Sequence, residues 1–334
     1  MTKSIGTDAG TQKSDRAVEN RSFYNRLPSS VREILPPLVG LVVIMAVFFV
    51  TAPTFRQWVA MADILESASV LFIMATGMTI CLIAGCLDLS VGSIFALVSV
   101  VTGLLMLAKL PWPLLILGGL IAGVLCGVIN GLIVTKTGVP TLIATLGTLQ
   151  IFRGIANMLG SGVDMSRFPA AFDLLGHRTI GPLINSVVAF IFIWFILSKT
   201  KVGFQAYAIG GNQEVARLAG IPVNRNKIIY YCISGLMTAL ASIVYTARVD
   251  FADVNRGVGY ELWAIAGVVI GGTSMFGGVG SVGKTVIGVL VIYVLQSGLI
   301  HLHVQSFWQQ VAVGVVIILA VWLDLIQRRA REKA

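Results

Sequence analysis

Apolar runs of 15 to 23 residues recur along almost the whole chain, and this repetition limits the fold more than any motif does. Crossing a bilayer as a helix takes about 20 mostly apolar residues. Ten segments read as membrane segments: 37–52, 63–84, 91–108, 113–135, 140–159, 182–198, 228–247, 262–276, 285–300 and 307–326. Of these, 262–276 is short enough to be re-entrant rather than a full crossing. Residues 38–50 and 188–197 are apolar on every face, whereas the strands of a membrane barrel alternate apolar and polar residues. Composition agrees, since 56% of residues are hydrophobic and 12% charged, against about a quarter charged in soluble domains. The expected fold is an all-α polytopic transmembrane bundle of about ten segments, some broken or re-entrant.

Charge sets the expected organisation. Residues 1–36 are polar and mixed in sign; they read as a cytoplasmic N-terminal tail without a cleavable signal. Residues 37–327 read as the transmembrane domain and 328–334 as a cytoplasmic C-terminal tail. With the N-terminus inside and ten crossings, 17 Lys and Arg fall on the inner side and six on the outer, with Arg153 inside a span. Inner loops carry the excess of Lys and Arg in membrane proteins, so both termini are expected in the cytoplasm. The net charge of +9 is then a topology signal rather than a nucleic-acid footprint. Cys81, Cys86, Cys126 and Cys232 form no C-x-x-C pair and read as small buried hydrophobes. His301 and His303 lack an acidic or sulfur partner nearby, so no metal site is expected.

Residues 278–285, Gly-Val-Gly-Ser-Val-Gly-Lys-Thr, match both the phosphate-loop and the dinucleotide patterns. Either pattern works only between a strand and a helix of a soluble α/β unit. Here it joins two membrane segments, with no soluble stretch to hold a nucleotide domain and no acidic partner for Mg²⁺. A glycine-rich turn that lets segments pack closely is the expectation. Asp88 and Ser90 lie in the polar stretch 85–93 between two apolar segments. An ionisable residue at that depth is costly; it either caps the helix starting near 91 or lines a solute path. Asn130, Asn157 and Glu261 pose the same choice, between orienting a hydroxylated solute and gluing helices together.

The long inner loop 199–227 carries a short capped helix. Asn212 suits an N-cap, Glu214 suits the first turn, and Gly220 followed by Pro222 is a stop signal. Val215, Leu218 and Ala219 fall on one stripe, with Arg217 beside it. A helix of about two turns is unstable alone, so it docks on its own bundle or on a cytoplasmic partner. Its length and inner location favour the partner.

Taken in order, these motifs resemble the ribose/galactose-type permeases of bacterial ABC importers. The likeness runs from about residue 60 to the C-terminus through 85–93, Asn130-Gly131, 139–148, 208–221, Ser234-Gly235, 261–266 and Gly271-Gly272 ahead of Gly277-Gly278. Cys86 and Lys284 depart from the family pattern. The resemblance implies an inner-membrane permease subunit importing a monosaccharide or related polyol, without catalysis or a cofactor of its own. It implies that 212–221 is the coupling helix seated in a separate ATPase, which holds ATP and Mg²⁺. It also implies a periplasmic sugar-binding protein and a second permease subunit, with the solute path between the two subunits. A secondary transporter driven by H⁺ or Na⁺ is the main alternative; it would use Asp88 or Glu261 as its ion site but has no need of a capped inner helix. An intramembrane enzyme would need a His or Lys beside Ser90 or Ser93, and none is placed there.

Overall fold

A computed structural model describes residues 29–177 and 179–332. Most of the expected N-terminal tail, Arg178 and the last two residues lie outside the described residues. The described chain forms thirteen α-helices. They are α1 (Ser29–Thr51), α2 (Trp58–Ile83), α3 (Val91–Leu107), α4 (Trp112–Leu132), α5 (Thr141–Gly160), α6 (Ala170–Asp173) and α7 (Ile180–Lys199). There follow α8 (Lys201–Gly211), α9 (Gln213–Leu218), α10 (Val223–Val249), α11 (Tyr260–Ile270), α12 (Val282–His301) and α13 (Ser306–Glu332). Among the described residues the only strand-like pairing is an isolated bridge between Ser166 and Phe251.

Seven helices (α1, α2, α4, α5, α7, α10 and α12) are long and apolar enough to cross a membrane, and α3, α11 and Ser306–Trp322 of α13 are shorter apolar helices. Together they coincide with the ten segments read from the sequence, and the fold is an all-α polytopic membrane bundle. With 11 residues, α11 extends only about 17 Å, roughly half of a bilayer core. The segment 262–276 is therefore a short helix running into an irregular glycine-rich stretch. Helix α1 begins at Ser29 and α13 continues to Glu332, so the hydropathy boundaries at 36 and 328 fall inside helices.

Burial sorts the helices. In α2, 83% of the span window is buried and in α10 67%, against 11% in α1 and 28% in α4. Helices α2 and α10 are thus interior, as is α3, buried along most of its length, while α1, α4, α5 and α7 ring them with an outer face for lipid. Helix α4 shows how sequence produces this. Gly119, Gly123, Gly127 and Gly131 recur every four residues and share one face. A Cβ on Gly131 would stand 2.7 Å from the Ile228 Cα, and one on Gly127 2.8 Å from the Cys232 Cα. Only glycine lets the two backbones approach this closely. On the opposite face Leu117, Ile121, Leu125 and Ile129 are half exposed, an arrangement suited to acyl chains rather than water.

Candidate functional site

Three features of the bundle bear on function. The first is a polar hub where α3 begins. Asp88, Ser90, Asn130 and Ser234 are all completely buried. Asp88 Oδ1 accepts from the Ser90 amide at 3.0 Å, the Ser90 hydroxyl at 2.7 Å and Asn130 Nδ2 at 3.4 Å. Its Oδ2 accepts from the Ser234 hydroxyl at 3.0 Å, and Asn130 Nδ2 also donates to Ser90 Oγ at 2.7 Å. Helix α3 itself has no side-chain cap. Asp88 instead closes a local turn and ties the 84–90 loop to α4 and α10. The other two residues paired with it in the sequence reading lie elsewhere. Asn157 is exposed on α5. Glu261 is half-buried in the first turn of α11, its carboxylate against Gly92 so that a Cβ there would collide with it. Arg153 is close by, donating to the carbonyls of Gly92, Val254 and Arg256.

The second feature is a pair of helices, α8 and α9. Asn212 Oδ1 accepts from the amides of Glu214 and Val215, both at 3.0 Å, and so caps α9. Gly220 has φ +80°, and the Ile221 amide reaches back to the Ala216 carbonyl at 3.0 Å, which closes the helix. Ala216 is the residue of α9 that packs inward, while Val215 is 59% and Leu218 86% exposed. Ala219 is exposed as well. Glu214 and Arg217 pair at 3.4 Å on the surface beside this stripe, a contact of small energetic value.

Helix α8 lies within the inner loop 199–227, in a stretch for which the sequence predicts no helix; Lys201–Gly211 carries three glycines. It forms by packing. Gly203 lies against the end of α7, and Gly210 lies between the Ile83 carbonyl and Gly278. Asn226 donates to Gln205 at 2.9 Å, Lys227 to Gln213 at 2.7 Å, and the Tyr230 hydroxyl to the Val202 carbonyl at 3.0 Å. The α8–α9 unit is therefore braced on α7, α10, the end of α2 and the glycine-rich stretch before α12. Replacing Gly220 by valine is expected to unravel the end of α9, since L-residues at this φ cost roughly 1–2 kcal/mol and a β-branched one more. Nothing lies within 4 Å of the position to clash with alanine or asparagine. Protease resistance of the 212–222 segment should rank glycine, then asparagine, then valine; equal resistance of Gly220→Val would show that the left-handed turn is dispensable.

The third feature is a cavity of about 400 Å³ at the far end of the bundle. Helix α10 leads from α9 to it, 27 residues or about 40 Å. At its rim Arg248 pairs with Glu66 and Asp63, each at 2.9 Å, and donates to Ser67 at 3.1 Å. Sequence reasoning missed this cluster. Its signal was present as acids in the second and third turns of α2 and an arginine in the last turn of α10, charges near the edge of spans.

Residues 60–321 match the family described as the permease component of branched-chain amino acid transport systems. The chain belongs to this permease family. Its named relatives handle other solutes. The permease is 38% identical to the ribose import permease of Bacillus subtilis (strain 168) over 88% of its own length and 93% of the relative's. It is 37% identical to the D-allose transport system permease of Escherichia coli (strain K12), over 85% and 89% of the two chains. The L-arabinose transport system permease of the same strain is 35% identical over 88% and 92%. No solved structure matches the permease.

Proposed function

We propose that the permease is the membrane-spanning subunit of an ATP-driven importer of a monosaccharide or related polyol, powered by a separate ATPase docked on α9. The apolar stripe of α9 carries this reading. A leucine 86% exposed on a short helix capped at both ends is built to enter a cleft in another protein. The relatives named for ribose, allose and arabinose support the solute class. The importer also comprises a periplasmic sugar-binding protein and a second permease subunit, a copy of this chain. Both termini face the cytoplasm of a bacterial inner membrane, placing α9 inside and the cavity outside. Cysteine labelling at Asp8 and Lys333 should then occur only after the cytoplasmic side is opened; labelling of either from outside would invert the topology.

ATP and Mg²⁺ belong to the partner. At 278–285 the Gly278 amide donates to the Ile83 carbonyl at 2.8 Å, and the amides of Lys284 and Thr285 point to Ser281. The Thr285 hydroxyl is buried against that of Thr79 at 2.9 Å. A phosphate loop needs such groups free, whereas these hold a glycine crossing of 277–278 over 210–211. A secondary transporter would need a solute-accessible ion site, and the Asp88 carboxylate is enclosed by its own partners.

The test is reconstitution with the ATPase and binding protein in liposomes. Uptake of D-ribose, D-allose or L-arabinose should require ATP and survive collapse of H⁺ and Na⁺ gradients. The isolated permease should bind no ATP, and Lys284→Ala should leave nucleotide affinity of the assembly unchanged. Gradient-driven uptake, or saturable ATP binding by the permease that Lys284→Ala removes, would overturn the reading.

A further inference from the structure

We propose that the glycine crossing of 277–278 over 210–211 is the joint that carries displacement of α9 into the membrane helices, with Tyr207 as its positioning residue. The inference rests on the docking of an ATPase on α9 proposed above, and adds where that motion enters the bundle.

Three elements meet at the joint, backbone against backbone. Gly210 and Gly211 end α8, immediately before the Asn212 cap of α9. A Cβ on Gly277 would stand 2.8 Å from the Gly210 carbonyl oxygen, and one on Gly278 3.0 Å from the Gly211 Cα. Gly277 and Gly278 have φ of +89° and +78°, a left-handed pair suited to glycine. The Gly278 amide donates at 2.8 Å to the carbonyl of Ile83, the last residue of α2. With no side chain between these segments, no rotamer can absorb a shift, and close-packed contacts pass it on.

The structure beyond the joint is equally tight. The turn is folded on itself, the Ser274 amide donating to the Val279 carbonyl at 3.0 Å. A Cβ on Gly271 would stand 2.7 Å from the Lys284 carbonyl carbon, and one on Gly288 2.9 Å from that of Gly267. Helices α11 and α12 with their turn are thus one hairpin, and displacing the turn displaces both. By contrast α9 reaches α10 through side chains, Lys227 donating to Gln213 at 2.7 Å, and through the turn at Gly220, which has nothing within 4 Å.

Tyr207 fixes the register. It lies three and four residues before Gly210 and Gly211 and so shares their helix face. Its hydroxyl donates to the Gly280 carbonyl at 2.9 Å, which pins α8 to the far side of the turn.

The test is the sugar imported per ATP hydrolysed in the reconstituted importer. Tyr207→Phe should match wild type in abundance, melting, ATPase pull-down and basal hydrolysis. Its stimulation by loaded binding protein and its sugar imported per ATP should both fall at least threefold, since coupling between two sites is reciprocal. Gly277→Ala should lower the same ratio at least tenfold with the ATPase still bound, unlike a variant that loses docking. Combining the two should lower it no further than Gly277→Ala alone, because both act on one contact. Should Gly277→Ala fail to insert, Tyr207→Phe decides alone. A wild-type ratio in Tyr207→Phe, or additive losses in the double variant, would overturn the joint while the import reading stands. A wild-type assembly that imports none of D-ribose, D-allose and L-arabinose would instead sink the import reading itself.

Discussion

Replacing Leu218 by aspartate is expected to abolish uptake and ATPase docking while leaving the permease inserted at wild-type abundance. Leu218 is 86% exposed, and the residue that anchors α9 to the bundle is Ala216. The substitution therefore removes nothing from the subunit's own core. In the proposed complex the same side chain would fill a cleft of the ATPase, and burying an unpaired carboxylate there would cost at least ~3 kcal/mol, about a hundredfold or more in affinity. Glu214 beside it adds like charge. Pull-down of the ATPase and sugar-stimulated ATP hydrolysis should both fall to background. A Leu218→Asp permease that retains its ATPase and imports normally would remove the coupling role from α9.

The second large effect is expected at the polar hub, where Asp88→Ala should deplete folded permease from the membrane. The carboxylate accepts from one backbone amide and three side-chain groups, all completely buried. Each donor left without an acceptor costs about 1–3 kcal/mol, and the hub residues are completely buried. Asp88→Asn keeps one carbonyl oxygen and should lie between alanine and wild type in abundance and thermal stability. Normal abundance and melting of Asp88→Ala with no uptake would contradict this structural role and return the carboxylate to the solute path.

Legibility differed by the reach of each interaction. The α9 caps were readable because Asn212 and its partner amides lie within three residues, and Gly220 closes the same turn. The purpose of Asp88 was not readable, because a cap on α3 and a tie between helices use the same residue type. Its partners Asn130 and Ser234 are 42 and 146 residues away. Asn157 and Glu261 looked equivalent to Asn130 on polarity alone, and only Asn130 faces the hub. The nucleotide-like motif at 278–285 reads as a packing turn from its membrane setting, and the geometry adds why glycines stand just ahead of it: a Cβ on Gly277 would stand 2.8 Å from the Gly210 Cα.

The sequence by itself determined that the chain is a helical membrane protein. Runs this long and apolar must satisfy their backbone polar groups internally in lipid, and helices do so within one segment. It also determined the capped α9, whose signals act within a few residues. Tertiary structure alone decided which helices are interior, how α8 forms from a glycine-rich stretch, which polar residues meet at Asp88, and that residues 210–211 and 277–278 cross at the end of α2. Lipid-facing and core-facing residues are both apolar, so composition does not separate them. Packing between helices distant in sequence does.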